Sequence, residues 1–296
     1  MDDLSPTEAR NPSTTDLDAL DTLALLRRIN AEDRRAAAAV ERALGELAAA
    51  VDAIAVRLRS GGSLHYFGAG TSGRLGVLDA AEIPPTFSAE PTLVVGHIAG
   101  GAAALTSAVE EAEDDAAAGR ADVAAAHIGR ADAAVGISAS GGAPYVLGAI
   151  EAAGEAGALT VAVTANGKSR LAALAQIAIV LETGAEALAG STRMKAAVAQ
   201  KMTLTALSTA VMVKLGKVYG NLMVDVKPTN RKLRDRALRL TQLVADVDAD
   251  AAAAALRASG YRVKIAAVML ARDVDADAAE RLLREHDGSL RRALQR

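Results

Sequence analysis

Gly68, Gly70 and Gly73 surround a hydroxyl pair, Thr71-Ser72, directly after a short apolar run that ends at Phe67. Glycines at those positions let the backbone turn tightly and approach a ligand closely. Hydroxyls and free amides at the start of a helix favour an anion. Together they make a cradle for phosphate. The stretch Ser138-Ala139-Ser140-Gly141-Gly142 repeats this chemistry after another apolar run, and Ser191-Thr192-Arg193 opens a long helix. Such turns at one sheet edge imply a converging anion site. Taken singly, each is also what an N-cap or a ligand-free strand–helix turn looks like.

Two carboxylates stand near these loops. Glu82 lies between Ala81 and Ile83-Pro84-Pro85. The prolines predict a helix end there. A carboxylate at the negative end of a helix dipole, among apolar neighbours, has its pKa raised. A carboxyl that keeps its proton near neutral pH serves as a general acid. An exposed glutamate without a role is the plain alternative. Glu113 belongs to an acidic run with Glu110, Glu111, Asp114 and Asp115, ordinarily a solvated helix face. It differs only in stacking one turn from Val109 and Ala117. A phosphate anchor followed closely by an isolated carboxylate suggests an enzyme acting on a phosphorylated small molecule.

Other chemistries fit less well. Gly68-x-Gly70-x-x-Gly73 matches the dinucleotide fingerprint, which expects an acidic residue ending the next strand. That strand, TLVV, runs into Gly96-His97 instead, so a phosphate monoester fits better. There is no GxxxxGK[ST] loop. The chain has no cysteine, which excludes disulfides, cysteine nucleophiles and cysteine–zinc sites. His65, His97, His127 and His286 lie far apart and form no HxH or HExxH pair, so no metal site is expected. The net charge of −3 gives no basic field for nucleic acid. The acidic start MDDLSPTEARNP is not a secretory signal, and no apolar run is expected to reach membrane-span length. The expected location is the cytoplasm.

Strands alternating with helices must position these loops. Apolar runs at Leu64–Phe67, Thr92–Val95, Ala133–Ile137, Leu159–Val163 and Ile177–Leu181 predict strands. Helices are expected over Arg74–Ala81, Ala103–Ala118 and Ala143–Ala153 between them. That alternation predicts an α/β fold, a doubly wound parallel sheet flanked by helices, with ligands at the C-terminal strand ends. Residues 1–60 read as a polar arm followed by helices over Asp16–Ile29 and Glu32–Leu58. Residues 61–230 are the sheet domain, including a long apolar helix over Arg193–Leu215. Residues 231–296 read as a small helical bundle.

The motifs YFGAGTSGRLGVLDAAEIPPTF, GHIAGG, GISASGGAPYV and ETGAEALAGSTRMK…AQKMTLTALSTAVMVKLGKVYGNLMVDVKPTN together resemble the N-acetylmuramic acid 6-phosphate etherases. Those enzymes are sugar-isomerase (SIS) domain proteins, and the likeness spans nearly the whole chain. The resemblance implies an SIS-type fold and a lyase that removes D-lactate from N-acetylmuramic acid 6-phosphate. It places the family's proton-donor glutamate on Glu82 and a second active-site glutamate on Glu113. The glycine and hydroxyl loops themselves supply the expected phosphate and sugar contacts: Gly70, Thr71, Ser72, Gly73, Ser138, Ser140, Gly141, Ser191 and Thr192. The resemblance also implies a homodimer, a site near the subunit interface, and no metal or organic cofactor. Ala197-Val198 stand where the family usually has Gly-Thr, and Gly142-Ala143 where it often has Arg-Thr. Two rival activities share the fold: a non-catalytic sugar-phosphate sensor and an aldose–ketose isomerase.

Overall fold

The alternating apolar runs fold into one parallel sheet. The structure, a computed structural model, describes residues 6–226, 228 and 230–295. The first five residues of the polar arm, Lys227, Thr229, Arg296 and the side chain of Glu110 lie outside the described residues. Strands β1 (Leu64–Gly68), β2 (Val94–Ile98), β3 (Ala133–Ile137), β4 (Leu159–Thr164) and β5 (Ile177–Val180) pair in the order β2-β1-β3-β4-β5, all parallel. β1, β3 and β4 are buried along their whole length. A parallel sheet covered by helices on both faces requires such continuous apolar strands.

Contacts divide the chain into two compact units. The first comprises the chain up to Ala81 together with Thr92–Ser208. It holds the sheet and helices α1 (Thr22–Arg42), α2 (Leu44–Arg59), α4 (Ala116–Ala125), α5 (Pro144–Glu155) and α6 (Arg170–Leu174), with the first part of α3 (Gly70–Phe87) and most of α7 (Lys195–Lys214). Aromatics make up only 2% of the chain, so the helices pack through small residues. A Cβ on Gly119 of α4 would lie 2.0 Å from the Tyr145 carbonyl oxygen, and one on Gly148 of α5 would lie 2.2 Å from that of Ala116. Around that contact Val123, Tyr145, Val146, Ile150 and Leu171 join Phe67 of β1 in one buried cluster.

The second unit, Glu82–Pro91 with Thr209–Arg296, is helical. It contains α8 (Arg231–Ala245), α9 (Ala249–Ala258), α10 (Val263–Arg272), α11 (Ala276–Glu285) and α12 (Leu290–Leu294). Each boundary has a local cause. Asn230, Asp248 and Asp275 accept the N3 amides of α8, α9 and α11 at 2.7–2.9 Å. Asp246 and Asp273 end α8 and α10 in the left-handed conformation. Leu240, Leu256, Ile265, Val268 and Leu283 form the core of this bundle.

Several elements differ from expectation. The helix expected over Ala103–Ala118 is replaced by 3-10 turns at Gly101–Leu105 and Glu110–Asp114, followed by α4. Like charges crowd that acidic run, and Asp115 caps α4 by accepting from Ala118 N at 2.9 Å. Glu113 therefore sits on a 3-10 turn, not on the margin of an α-helical face. The helix expected to stop at Ala81 continues through Pro84 and Pro85 to Phe87. Ile83 and Phe87, four residues apart and both buried, hold that last turn in place. α7 is, by length and composition, long and apolar enough to cross a membrane, contrary to the expectation of short apolar runs. Its buried face nevertheless carries Lys195, Gln200, Thr203 and Ser208, as suits a core helix.

The histidines of β1 and β2 form a proton-specific chain. Ser63 Oγ donates its one proton to Asp132 at 2.9 Å, so it must accept from His65 Nε2 at 2.8 Å. His65 Nδ1 then accepts from His97 Nε2 at 3.0 Å. Burial first, and then His97, push the His65 pKa down to about 4, against the opposing pull of Asp132. Between pH 6.5 and 4 the unfolded chain thus binds more protons at this site than the folded one. The contribution of neutral His65 is complete above about pH 6.5 and is lost as the pH falls towards 4, by roughly 2–3 kcal/mol. Thermal unfolding at pH 7 and pH 4.5 should show Tm several degrees lower at the acid end. His65→Leu, which cannot charge, should flatten that difference; an unchanged pH dependence in the variant would assign it to other groups.

Candidate active site

The strand order contains a switch point. From β1 the chain crosses to β2 on one side, then returns past β1 to β3 on the other. Open parallel sheets bind ligands at such points, outside the carboxyl ends of the strands. Gly68 of β1 pairs with Ile137 of β3, so the two hydroxyl-bearing loops leave from adjacent strand ends. Between them lies a cleft of about 220 Å³. Gly70, Thr71 and Ser72 line it after β1, and Ser138 and Ser140 after β3. Glu8, Glu113, Gly190 and Thr192 complete the rim.

α3 starts at Gly70, so Thr71 and Ser72 lie in its first turn, where amides have no intrahelical acceptor. The turn is tight because strand end and helix nearly touch. A Cβ on Gly73 would lie 2.6 Å from both the Gly68 carbonyl oxygen and Ile98 Cγ1. Gly73 therefore shapes the cradle without lining it, and its own amide is bonded to the Ala69 carbonyl at 3.2 Å. A buried polar link anchors α3: Asp79 accepts from Tyr66 of β1 at 2.9 Å and from Ser208 of α7 at 3.2 Å. Burial raises the pKa of Asp79, opposed by these hydroxyls.

The second loop closes on itself. Ser138 Oγ accepts from Gly141 N at 3.1 Å, and Ser140 Oγ accepts from Gly142 N at 3.3 Å. Both serines thus keep their O–H protons to donate into the cleft. Gly141 makes the turn with φ +70°, and a Cβ there would strike Ser169 Oγ at 2.2 Å. It supports the loop from behind and does not line the cleft.

Among the described residues neither lysine nor arginine lines this cleft, so an anion would be met by amides and hydroxyls. Glu113 faces the cleft with a shifted pKa. Partial removal from water, and then the negative charge of Asp114, raise its pKa above the ordinary carboxyl range. Glu113 is otherwise an exposed residue. A carboxylate of raised pKa beside an anion cradle is suited to proton abstraction.

The remaining expected residues fall elsewhere. Glu82 does not line the cleft; it is exposed on α3, with a full helical turn beyond it. A helix end at Ala81 and a dry setting, the two premises for holding a proton there, are therefore absent. Ser191 also stays outside the lining. The N-terminus of α7, expected to help hold the anion, is already satisfied. Glu186, fully buried, accepts from Lys195 N at 3.1 Å and Ala196 N at 2.9 Å. Ala143 lines the cleft, so one of the two family departures falls at the site.

Two residues were missed. Glu8 lies in the polar arm, whose backbone is tied to the far loop by a bond from Gly190 N to the Thr7 carbonyl at 3.1 Å. Gln200 lies on α7, and its Oε1 accepts from Ser72 Oγ at 2.9 Å. A glutamine among the apolar residues of a buried face was the one available signal for it. A larger cavity of about 770 Å³ lies within the second unit, and several of its charges pair with one another. Lys264 Nζ bonds Asp225 at 2.7 Å and the Gly288 carbonyl at 2.9 Å, and Arg262 bonds Glu280 at 3.0 Å.

Comparison with known proteins places both loops within recognised domains. Residues 46–154 match the glucokinase regulatory protein N-terminal SIS domain, and residues 103–210 match the SIS domain. The chain is 52% identical over 288 residues to the N-acetylmuramic acid 6-phosphate etherase of Cronobacter sakazakii (strain ATCC BAA-894), covering 97% of each. It is 46% identical to the enzyme of the same name from Caldanaerobacter subterraneus subsp. tengcongensis, over 98% of this chain and 94% of that one. Among solved structures, a phosphoheptose isomerase from Francisella tularensis is similar over 65% of this chain and 98% of its own, with 19% identity and a TM-score of 0.49.

Proposed function

The chain belongs to the N-acetylmuramic acid 6-phosphate etherase family, and from that premise we infer that the cleft at the β1/β3 switch point holds the sugar phosphate. The protein is a carbon–oxygen lyase of amino-sugar metabolism. It cleaves the D-lactyl ether of N-acetylmuramic acid 6-phosphate to give N-acetylglucosamine 6-phosphate and D-lactate. The observation that carries this reading is identity of about half the residues over almost the full length of both chains.

The site residues can be given roles. The Thr71 and Ser72 amides and the Ser138 and Ser140 hydroxyls take the phosphate, with Thr192 at the rim. Binding energy from that remote group holds the open-chain sugar in register. In the open chain, the aldehyde acidifies the proton on carbon 2. Glu113, with its raised pKa, takes that proton. Electrons flow toward carbon 3, and the lactyl ether bond breaks as an acid protonates its oxygen. Glu82 is the proposed acid; its role is supported by the family resemblance and not by its surroundings. Water then adds at carbon 3 and a proton returns to carbon 2, which restores the saturated sugar. We take the enzyme to act in the cytoplasm as a homodimer. Exposed Val198, Met202 and Val213 along α7 support a second copy covering that helix.

The test is release of D-lactate by the purified protein from N-acetylmuramic acid 6-phosphate. Binding of the sugar phosphate without lactate would favour the sensor. Conversion of an aldose phosphate to its ketose would favour the isomerase.

A further inference from the structure

The hydroxyls lining the cleft are not equivalent. Ser138 and Ser140 each accept from an amide of their own loop, which leaves their protons for a ligand. Ser72 does the opposite, donating its only proton to Gln200 Oε1 at 2.9 Å. In that state Ser72 offers an anion nothing but lone pairs. Gln200 is 2% exposed, and its Nε2 has no hydrogen-bond partner among the described residues. A buried amide N–H₂ left unbonded is unfavourable, and such a group calls for an explanation.

We propose that Gln200 is a positioning residue whose amide turns over when a phosphate enters the cleft. Rotation by half a turn about the last side-chain bond exchanges Oε1 and Nε2. Nε2 then donates to Ser72 Oγ, and the Ser72 proton turns to a phosphate oxygen. The rotation gives the amide nitrogen an acceptor in Ser72 Oγ and converts Ser72 from a donor committed to Gln200 into a donor to the ligand. Gln200 touches no substrate atom; it acts through Ser72 alone. The helix that bears it is held on the same face by Ser208, bonded to Asp79 of α3, so the glutamine meets Ser72 at a fixed distance. This inference rests on reading the cleft as a phosphate site.

The test measures binding of N-acetylglucosamine 6-phosphate by calorimetry, with kcat and KM alongside. The variants are Ser72→Ala, Gln200→Glu, Gln200→Met and the double variant Ser72→Ala/Gln200→Met. Gln200→Glu keeps shape and an acceptor but cannot donate to Ser72 when ionised. Gln200→Glu, which can only accept the Ser72 proton, should weaken binding by about tenfold to a hundredfold, the range for a hydrogen bond to a charged group, whereas Gln200→Met, which leaves that proton free, should weaken it much less. KM should rise far more than kcat falls. In the double variant, the Gln200 change should cost nothing beyond Ser72→Ala, because the two residues act as one unit. Wild-type affinity in Gln200→Glu overturns the proposal, as do losses that multiply in the double variant. The Glu variant keeps the test open if Gln200→Met fails to fold. Wild-type affinity in Ser72→Ala would also overturn the proposal, whereas failure of the wild-type protein to bind N-acetylglucosamine 6-phosphate would overturn the phosphate reading itself.

Discussion

Glu113→Gln should lower kcat by roughly 10²- to 10⁴-fold, the usual contribution of a positioned general base. The substitution keeps the shape of the side chain and removes its capacity to accept a proton. KM for the phosphorylated sugar should change much less, since hydroxyls and amides hold the phosphate. The wild-type pH profile should carry the matching limb. Glu113 works as the carboxylate, so activity falls as the pH drops through its raised pKa, and the variant's residual activity should lack that limb. Turnover within tenfold of wild type would remove Glu113 from the chemistry. Glu82→Gln separates the second role. If Glu82 protonates the ether oxygen, its loss should be largely relieved by a substrate whose leaving group needs no proton, whereas the Glu113 variant gains nothing from that change.

The second large effect concerns stability. Lys195 is fully buried at the start of α7, and its ammonium pairs with Glu32 of α1, whose side chain is also buried. Burial raises the Glu32 pKa, but the bonds from Lys195 and Asn11 outweigh it and hold the carboxyl below its ordinary range. Lys195→Met should destabilise the fold by about 3–5 kcal/mol, because it strands a carboxylate in the interior. Arg35, at 3.5 Å from Glu32, is exposed and compensates little. Adding Glu32→Leu should recover much of the loss, since an apolar pair of similar volume often replaces a buried ion pair without penalty. Urea unfolding of the single and double variants reads both numbers. A loss below 1 kcal/mol in Lys195→Met would show that water reaches the pair.

Elements whose hydrophobic pattern matched their burial were legible in the sequence. β3 spans the predicted Ala133–Ile137, and α8 to α12 fall within the helical bundle expected over residues 231–296. These elements are bounded by turn or capping residues that act locally. The phosphate loops were legible for the same reason, since glycine and serine positions encode their own turns. The carboxylates were not. The physical case for Glu82 relied on prolines stopping a helix, and burial of Ile83 and Phe87 overrides that preference. Glu113 had no local signal inside a run of like charges. Its place at the cleft follows from a 3-10 turn and a strand order that no short window contains. Lys195 and Glu32, and likewise Ser72 and Gln200, are pairs made by tertiary packing between distant segments.

The bond between Gly190 and Thr7 has a consequence for the protein's synthesis. It joins a segment near the start of the chain to a loop that emerges from the ribosome only after about two thirds of the chain has been made. Long-range closures of this kind form late, because the entropy of bringing distant segments together must be overcome first. The nascent polypeptide therefore carries a finished strand-and-glycine cradle well before it has a complete rim. Competence to hold a substrate should arrive in a single step once the loop at Gly190 captures the segment at Thr7.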